Sequence, residues 1–144
     1  MMSVLKKFLW VSVFLLPNMA YGIGVTIPSC SVRTTPLNFG IYWGNAISTS
    51  ASVSVQCNLP ATTVVQMNPG LHSANFITRK MAAAQSTLNY NLYTTATHRF
   101  VWGDKTAGTA TRTGSRLIVY GFIPAGQVTT AGTYADTVVV TIIW

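Results

Sequence analysis

Acidic side chains are almost absent from this chain of 144 residues. It contains no glutamate, and its two carboxylate side chains are those of Asp104 and Asp136. Most glycosidases need two carboxyl groups beside the bond they cleave, and other hydrolases need a nucleophile held against a base. The chain has no G-x-S-x-G segment, and its two imidazoles, His72 and His98, have no ligand-like spacing. The sequence therefore predicts a protein that is not an enzyme and that uses no metal ion or cofactor.

Basic residues are in excess but are scattered along the chain. The chain has nine Lys and Arg side chains and two acidic ones, which gives a formal net charge of +7. Apart from Lys6–Lys7 and Arg79–Lys80, each basic residue stands alone in the sequence. Nucleic-acid binding is typically marked by a basic stripe or cluster, so no nucleic-acid partner is predicted.

The N-terminus has the layout of a secretory signal peptide. Lys6 and Lys7 precede an apolar run over 8–16, and small residues follow at Ala20 and Gly22. The apolar run is about half the ~20 residues that a membrane-spanning helix needs. The sequence therefore predicts export with cleavage after Gly22.

Cleavage there divides the chain into a signal peptide, 1–22, and a mature chain, 23–144, which is long enough for one domain. The mature chain keeps both cysteines, Cys30 and Cys57, and an exported protein meets an oxidising compartment. The two are too far apart for a C-x-x-C redox site and too few for a structural zinc site. A structural disulfide is expected.

The mature chain has short segments of alternating apolar and polar residues between turn signals. This pattern predicts an all-β sandwich or barrel. The segment 117–123 is apolar on both faces, which is typical of a strand that is central in its sheet or covered on both sides. The predicted strands include 51–57, 62–67, 87–94, 117–123 and the C-terminal 137–144.

Two segments and two aromatic residues stand outside this pattern. The alanine-rich stretch 79–86 favours a helical turn or two, and the Gly/Thr-rich stretch 103–115 favours a long exposed loop or hairpin. Trp43 and Trp102 each stand beside a glycine in a predicted loop. They are the candidate contacts for a surface or glycan ligand, whereas the other aromatics are expected mainly to pack the core.

An ordered series of segments resembles one known family. The series includes "CSVRTTPLNFGIY" from Cys30, "SASVSVQC" ending at Cys57, "RKM" at 79–81, "LNYNLY" at 88–93, "VWGD" at 101–104, "VYGFIPAGQ" at 119–127 and "AGTYADTVVVTIIW" at the C-terminus. This series resembles the spore coat protein U family, which includes the secreted subunits of archaic chaperone–usher pili. The resemblance runs from Cys30 to Trp144.

The resemblance implies an incomplete immunoglobulin-like β-sandwich that lacks its last strand. A periplasmic chaperone and then a neighbouring pilus subunit would supply that strand, with assembly at an outer-membrane usher and a role in adhesion or biofilm formation. It also implies that the Cys30–Cys57 disulfide ties the first strand to the second. The accepting edge would be the final strand, with one face formed by Val138, Val140, Ile142 and Trp144. The alternative is a single-domain, tip-like adhesin or glycan-binding module.

A donor strand in such a subunit would precede the first cysteine. The short extension 23–29 has alternating Ile23, Val25 and Ile27 that suit this role. Its seven residues reach only about 23 Å in extended form, and Pro28 removes one donor from the ladder. The extension is therefore short for efficient polymerisation, which leaves three alternatives: a minor subunit, a distal subunit that accepts a strand but donates weakly, or a relative outside pili.

Overall fold

A computed structural model describes the backbone of residues 2–6, together with residues 24 and 26–144, as an all-β protein. Within these residues, nine strands form a four-stranded sheet in the order β1-β9-β4-β7 and a five-stranded sheet in the order β2-β3-β8-β6-β5. The strands are β1 (Met2–Lys6), β2 (Cys30–Thr34), β3 (Ile47–Cys57), β4 (Val64–Met67), β5 (Arg79–Ala83), β6 (Ser86–Tyr93), β7 (Arg112–Thr113), β8 (Arg116–Ile123) and β9 (Val138–Ile143). The described residues include one 3-10 turn, Thr106–Gly108, and hold no helix long or apolar enough to cross a bilayer.

The core forms where the two sheets turn their apolar side chains toward each other. In β6, Leu88, Tyr90 and Leu92 are buried at alternate positions, as the period-two pattern predicted. β8 contributes Leu117 and Val119 to the same cluster, and β9 contributes Val140 from the other sheet. The all-β sandwich predicted from the sequence is confirmed, and the sheets form the predicted immunoglobulin-like fold.

One local prediction is wrong, and another is confirmed in one of its two forms. The stretch 79–86 is not helical: β5 and β6 form an antiparallel hairpin in which Arg79 pairs with Tyr90. Arg79 and Met81 are buried at alternate positions, so packing of one strand face overrides the helix propensity of the alanines. β8 is the central strand of its sheet, which is one of the two forms predicted, and it is not covered on both sides, because Ile118 is 49% exposed on its outer face.

The last strand has a neighbour on each side in the full chain. β9 pairs with β4 in antiparallel register on one side and with β1 in parallel register on the other. β1, however, lies inside the predicted signal peptide 1–22. Within residues 24 and 26–144, β4 is the sole strand that pairs with β9, so cleavage after Gly22 would leave the other edge of β9 unpaired.

The disulfide is present between the two predicted cysteines and joins β2 to β3. Cys30 and Cys57 lie directly opposite each other where β2 begins and β3 ends, with Cα atoms 4.0 Å apart and sulfur atoms 2.05 Å apart. Cys30 is 3% exposed. The bond fixes β2 at the outer edge of the five-stranded sheet, where β3 is its single strand neighbour among the described residues.

Replacing both cysteines with alanine should destabilise the protein markedly. The disulfide closes a loop with a sequence separation of 27, and the loop-entropy model assigns about 3–4 kcal/mol to closing a loop of this length. We expect the urea midpoint of the Cys30→Ala/Cys57→Ala variant to fall well below that of the oxidised parent. Reduced parent protein is the matched control and should unfold with the variant. An unchanged midpoint in the variant would contradict this role.

Candidate strand-accepting edge

The final strand presents a regular apolar face to the core. Val138, Val140 and Ile142 are between 0% and 5% exposed, and Trp144 is half-buried and packs against the core cluster. Ile143, on the opposite face, is 46% exposed. The four residues predicted to face the core therefore do so. Their further role, lining a groove for an incoming strand, stays a prediction.

The backbone of β9 offers a strand-length row of pairing positions on the side away from β4. In the full chain five consecutive residues occupy it, from Met2 opposite Val138 to Lys6 opposite Ile142. An extended segment can thus lie beside β9 along nearly its whole length. Unpaired N–H and C=O groups on such an edge are a template for another chain.

Asp136 anchors the point where the chain enters β9. Its carboxylate accepts hydrogen bonds from the Tyr90 hydroxyl at 2.6 Å, the Leu71 N–H at 2.9 Å and the Thr137 N–H at 2.9 Å. Burial and the neighbouring carboxylate raise the pKa of Tyr90, so its hydroxyl remains a proton donor at neutral pH. Gly70 has a positive φ of 99° and lies so close to Asp136 that a Cβ would overlap the carboxylate.

Asn68 continues the pairing of β9 beyond the end of β4. Its backbone N–H donates to the Val139 carbonyl at 3.1 Å, and its side-chain oxygen accepts the Val139 N–H at 2.8 Å. The same side-chain oxygen accepts the Gly70 N–H at 3.1 Å. Asn68 therefore stabilises both the turn at Gly70 and the side of β9 that faces β4.

A buried guanidinium fixes Asn68 in turn. Arg79 is 0% exposed, and its Nε and Nη2 atoms donate to the Asn68 carbonyl at 3.2 and 2.9 Å. Nη2 also donates to the Trp102 carbonyl, and Nη1 donates to Asn91 Oδ1, each at 2.6 Å. The Phe76 ring lies 5.4 Å from the guanidinium carbon.

Burial lowers the pKa of Arg79 to about 10, so the side chain keeps its charge at neutral pH. Among the described residues, no buried side-chain nitrogen or oxygen atom lacks a hydrogen-bond partner. The guanidinium is thus stabilised by neutral oxygens and an aromatic face rather than by a direct ion pair.

A cavity of about 170 Å³ opens beside the start of β9. Leu37, Phe39, Val119 and Val138 form much of its apolar wall, and Asp136 lies at its border. Its volume is close to that of the ~150 Å³ cavity known to hold a benzene molecule. It has room for one large apolar side chain.

The two tryptophans predicted as ligand contacts lie in different environments. Trp43 is 81% exposed, in agreement with the prediction of a loop position. Trp102 is 0% exposed, and its indole N–H donates to the Val65 carbonyl at 3.0 Å, so it cannot contact a surface ligand. The prediction for Trp102 is wrong because its loop folds inward against the core.

Of the predicted donor segment, Ile27 is 72% exposed and lies outside any strand, while Ile23 and Val25 lie outside the described residues. No cluster of three His, Cys, Asp or Glu side chains occurs within the described part of the chain. Asp104 bonds to Thr106 in its own loop, and His98 stacks on Phe122.

Residues 23–141 match the model of the Spore Coat Protein U domain. The chain belongs to this family. Its curated relatives include Protein U of Myxococcus xanthus, which is 38% identical over 125 residues, with 74% of this chain and 70% of that protein covered.

The fold of this family member is also similar to a solved structure. It superposes with a TM-score of 0.59 on a chain of the CsuC–CsuE chaperone–tip adhesion subunit pre-assembly complex, from the archaic chaperone–usher Csu pili of Acinetobacter baumannii. The two share 21% identity, and the match covers 82% of this chain and 40% of that chain. A likeness at this identity establishes a shared fold.

The resemblance of the sequence to the spore coat protein U family is thus confirmed, but the interactions that hold β9 are found only in the structure. Sequence reasoning placed Arg79 in a helical turn and gave Asn68 no role. Arg79 stands two residues before Met81, and this spacing places both on one face of a strand. That face is buried, and a buried arginine needs several hydrogen-bond acceptors.

Replacing Arg79 with methionine should cost about 3 kcal/mol of stability or more, because the Asn68 and Trp102 carbonyls would lose their donor and Asn91 Oδ1 would keep only the Leu92 N–H. Lys80→Met is the matched control: the same substitution on the exposed face of the same strand should change stability by about 0.5 kcal/mol or less. Urea unfolding measures the difference. Equal midpoints for the two variants would show that the Arg79 network does not support the fold.

Proposed function

We propose that this protein is an exported, non-enzymatic subunit of a chaperone–usher pilus, assembled by strand exchange at β9. The observation that carries the proposal is the edge of β9, which pairs in the full chain with residues that lie in the predicted signal peptide. Removal of 1–22 would expose a six-residue strand, Val138–Ile143, whose inner face is part of the core. Membership of the spore coat protein U family supports the same function.

An exposed edge of this kind needs a partner that supplies an extended strand. Main-chain hydrogen bonds to β9 would give affinity, and alternate apolar side chains would enter the space between the sheets, as in the strand addition by which chaperones bind pilins. The cavity bordered by Leu37, Phe39 and Val138 could receive one of these side chains. We propose that a periplasmic chaperone supplies the strand first, and that a neighbouring subunit replaces it at the outer-membrane usher.

The weaker element of this assembly is the chain's own donor segment. Residues 23–29 number seven, and Ile27 is exposed outside any strand. Because a short donor forms few ladder bonds, this subunit should accept a strand more effectively than it donates one. This would suit a minor or distal position at the cell surface.

A second candidate function is adhesion by the loops at one end of the sandwich. Trp43, Ile41 and Val128 are between 72% and 100% exposed. Their loops are joined by a hydrogen bond from the Gly126 N–H to the Gly44 carbonyl at 2.8 Å. A group of exposed apolar side chains is typical of an interaction site, and here it supports a contribution to surface adhesion or biofilm formation.

A chain that starts at Ile23 should be poorly soluble alone and should be rescued by a fused strand. We would attach, through a flexible C-terminal linker, a strand with Ile or Val at alternate positions. The matched control would carry Asn at those positions and should not rescue, because the apolar space beside β9 would stay empty. Soluble yield and the cooperativity of urea unfolding are the measurements. A stable, cooperative monomer without any fused strand would contradict strand exchange.

A further inference from the structure

The outer face of the five-stranded sheet brings together residues that are far apart in the sequence. Ser48, Ser50, Ser52 and Ser54 occupy alternate positions of β3, and each is exposed or half-buried. In β8 they pair respectively with Phe122, Tyr120, Ile118 and Arg116. The face therefore has a central row of hydroxyl groups, with aromatic rings toward one end and a guanidinium toward the other.

A second guanidinium completes the basic end. Arg33 of β2 pairs with Ser54, which pairs on its other side with Arg116, so the three residues form one cross-strand row. With strands about 4.8 Å apart, the two arginine Cα atoms lie roughly 10 Å from each other. Both arginines are exposed. A shallow depression around them is lined by further hydroxyl and amide groups, including Ser31, Thr35 and Gln56.

These two guanidiniums have no carboxylate partner within the described residues. Asp104 bonds to Thr106 in its own loop, and Asp136 bonds to Tyr90 between the sheets. Residues 24 and 26–144 provide no hydrogen bond or ion pair to either arginine side chain, so the row presents two accessible positive charges.

The aromatic end has a different chemistry on the same face. Tyr93 of β6 pairs with Tyr120, and the His98 ring stacks on Phe122 with centroids 4.7 Å apart. Tyr120 lies four residues from Arg116 along β8, a distance of about 13 Å. Half-buried aromatic rings offer an apolar surface with a polar edge.

We propose that this face binds an acidic polysaccharide whose sugar carboxylates pair with Arg33 and Arg116. Guanidinium groups bind carboxylates through two parallel hydrogen bonds, serine hydroxyls both donate to and accept from sugar hydroxyls, and tyrosine rings pack against the C–H faces of sugar rings. Two cations are few for a nucleic acid, and anionic membranes typically attract clusters of about 4–8 basic residues. The spacing of charge and aromatic surface along one strand favours a chain-like ligand.

This inference is independent of strand exchange, since the face belongs to the sheet that does not contain β9. A partner strand on β9 would leave it open. If copies are arrayed in a fibre, the same face would recur and weak binding at each copy would sum to a higher avidity.

Binding of the purified full chain to polygalacturonate, a polymer of carboxylated sugars, tests the proposal. Arg33→Gln/Arg116→Gln should weaken binding at least tenfold. Lys105→Gln/Arg112→Gln removes the same net charge from a loop and from the other sheet, and should change binding less than twofold. Tyr120→Ala should weaken binding several-fold, whereas Leu71→Ala, which also removes apolar side-chain surface but lies outside this face, should leave it unchanged.

Further variants and ligands distinguish the proposed polysaccharide from other ligands of this face. Arg33→Lys/Arg116→Lys keeps the charge but loses the planar fork, and it should bind several-fold more weakly than the parent. If the double glutamine variant does not accumulate as folded protein, the double lysine variant still tests the proposal. Any of four results would overturn the proposal. These are an equal loss of binding in both double glutamine variants, equal binding to neutral dextran, tighter binding to anionic phospholipid vesicles, and no binding to polygalacturonate.

Discussion

The structure depends on how the backbone of β9 is paired. A strand inside a sandwich needs a neighbour on each side, because unpaired backbone groups next to an apolar core are costly and attract other chains. β4 provides one neighbour, and Asn68 extends that pairing to Val139. On the other side the full chain uses Met2–Lys6. Without those residues, β4 is the sole strand that pairs with β9 among residues 24 and 26–144.

Interior hydrogen bonds hold the start of β9 and its β4 side in place. Asp136 fixes the start of the strand through Tyr90 and Leu71, and Arg79 fixes Asn68. Among the described residues these buried polar contacts are fully satisfied, so they specify one geometry rather than simply adding apolar burial. The disulfide acts on the other sheet, where it holds β2 against β3. The two sheets are therefore stabilised by different interactions: buried hydrogen bonds around β9 in one and a disulfide at β2 in the other.

Alternating side chains allowed much of the fold to be predicted from the sequence. β3, β6 and the inner face of β9 follow from period-two patterns because burial depends directly on that period. The Arg79 network was not predictable in this way, since its acceptors are the Asn68 and Trp102 carbonyls and the Asn91 side chain, which tertiary folding brings together. The alanines after Arg79 favoured a helix locally, and tertiary pairing with β6 prevailed. Likewise, Trp102 beside a glycine suggested an exposed loop, whereas the indole fills the core.

Scattered basic residues illustrate the same limit. Arg33 and Arg116 look isolated in the sequence, and strand register alone places them on either side of Ser54. The central claim, however, concerns β9, and hydrogen exchange at its backbone amides tests it most directly. Peptides covering 138–143 should exchange at least tenfold faster in a chain starting at Ile23 than in the full chain, and the increase should be larger than in peptides from β3 and β8. Equal protection of β9 in both chains would contradict the account.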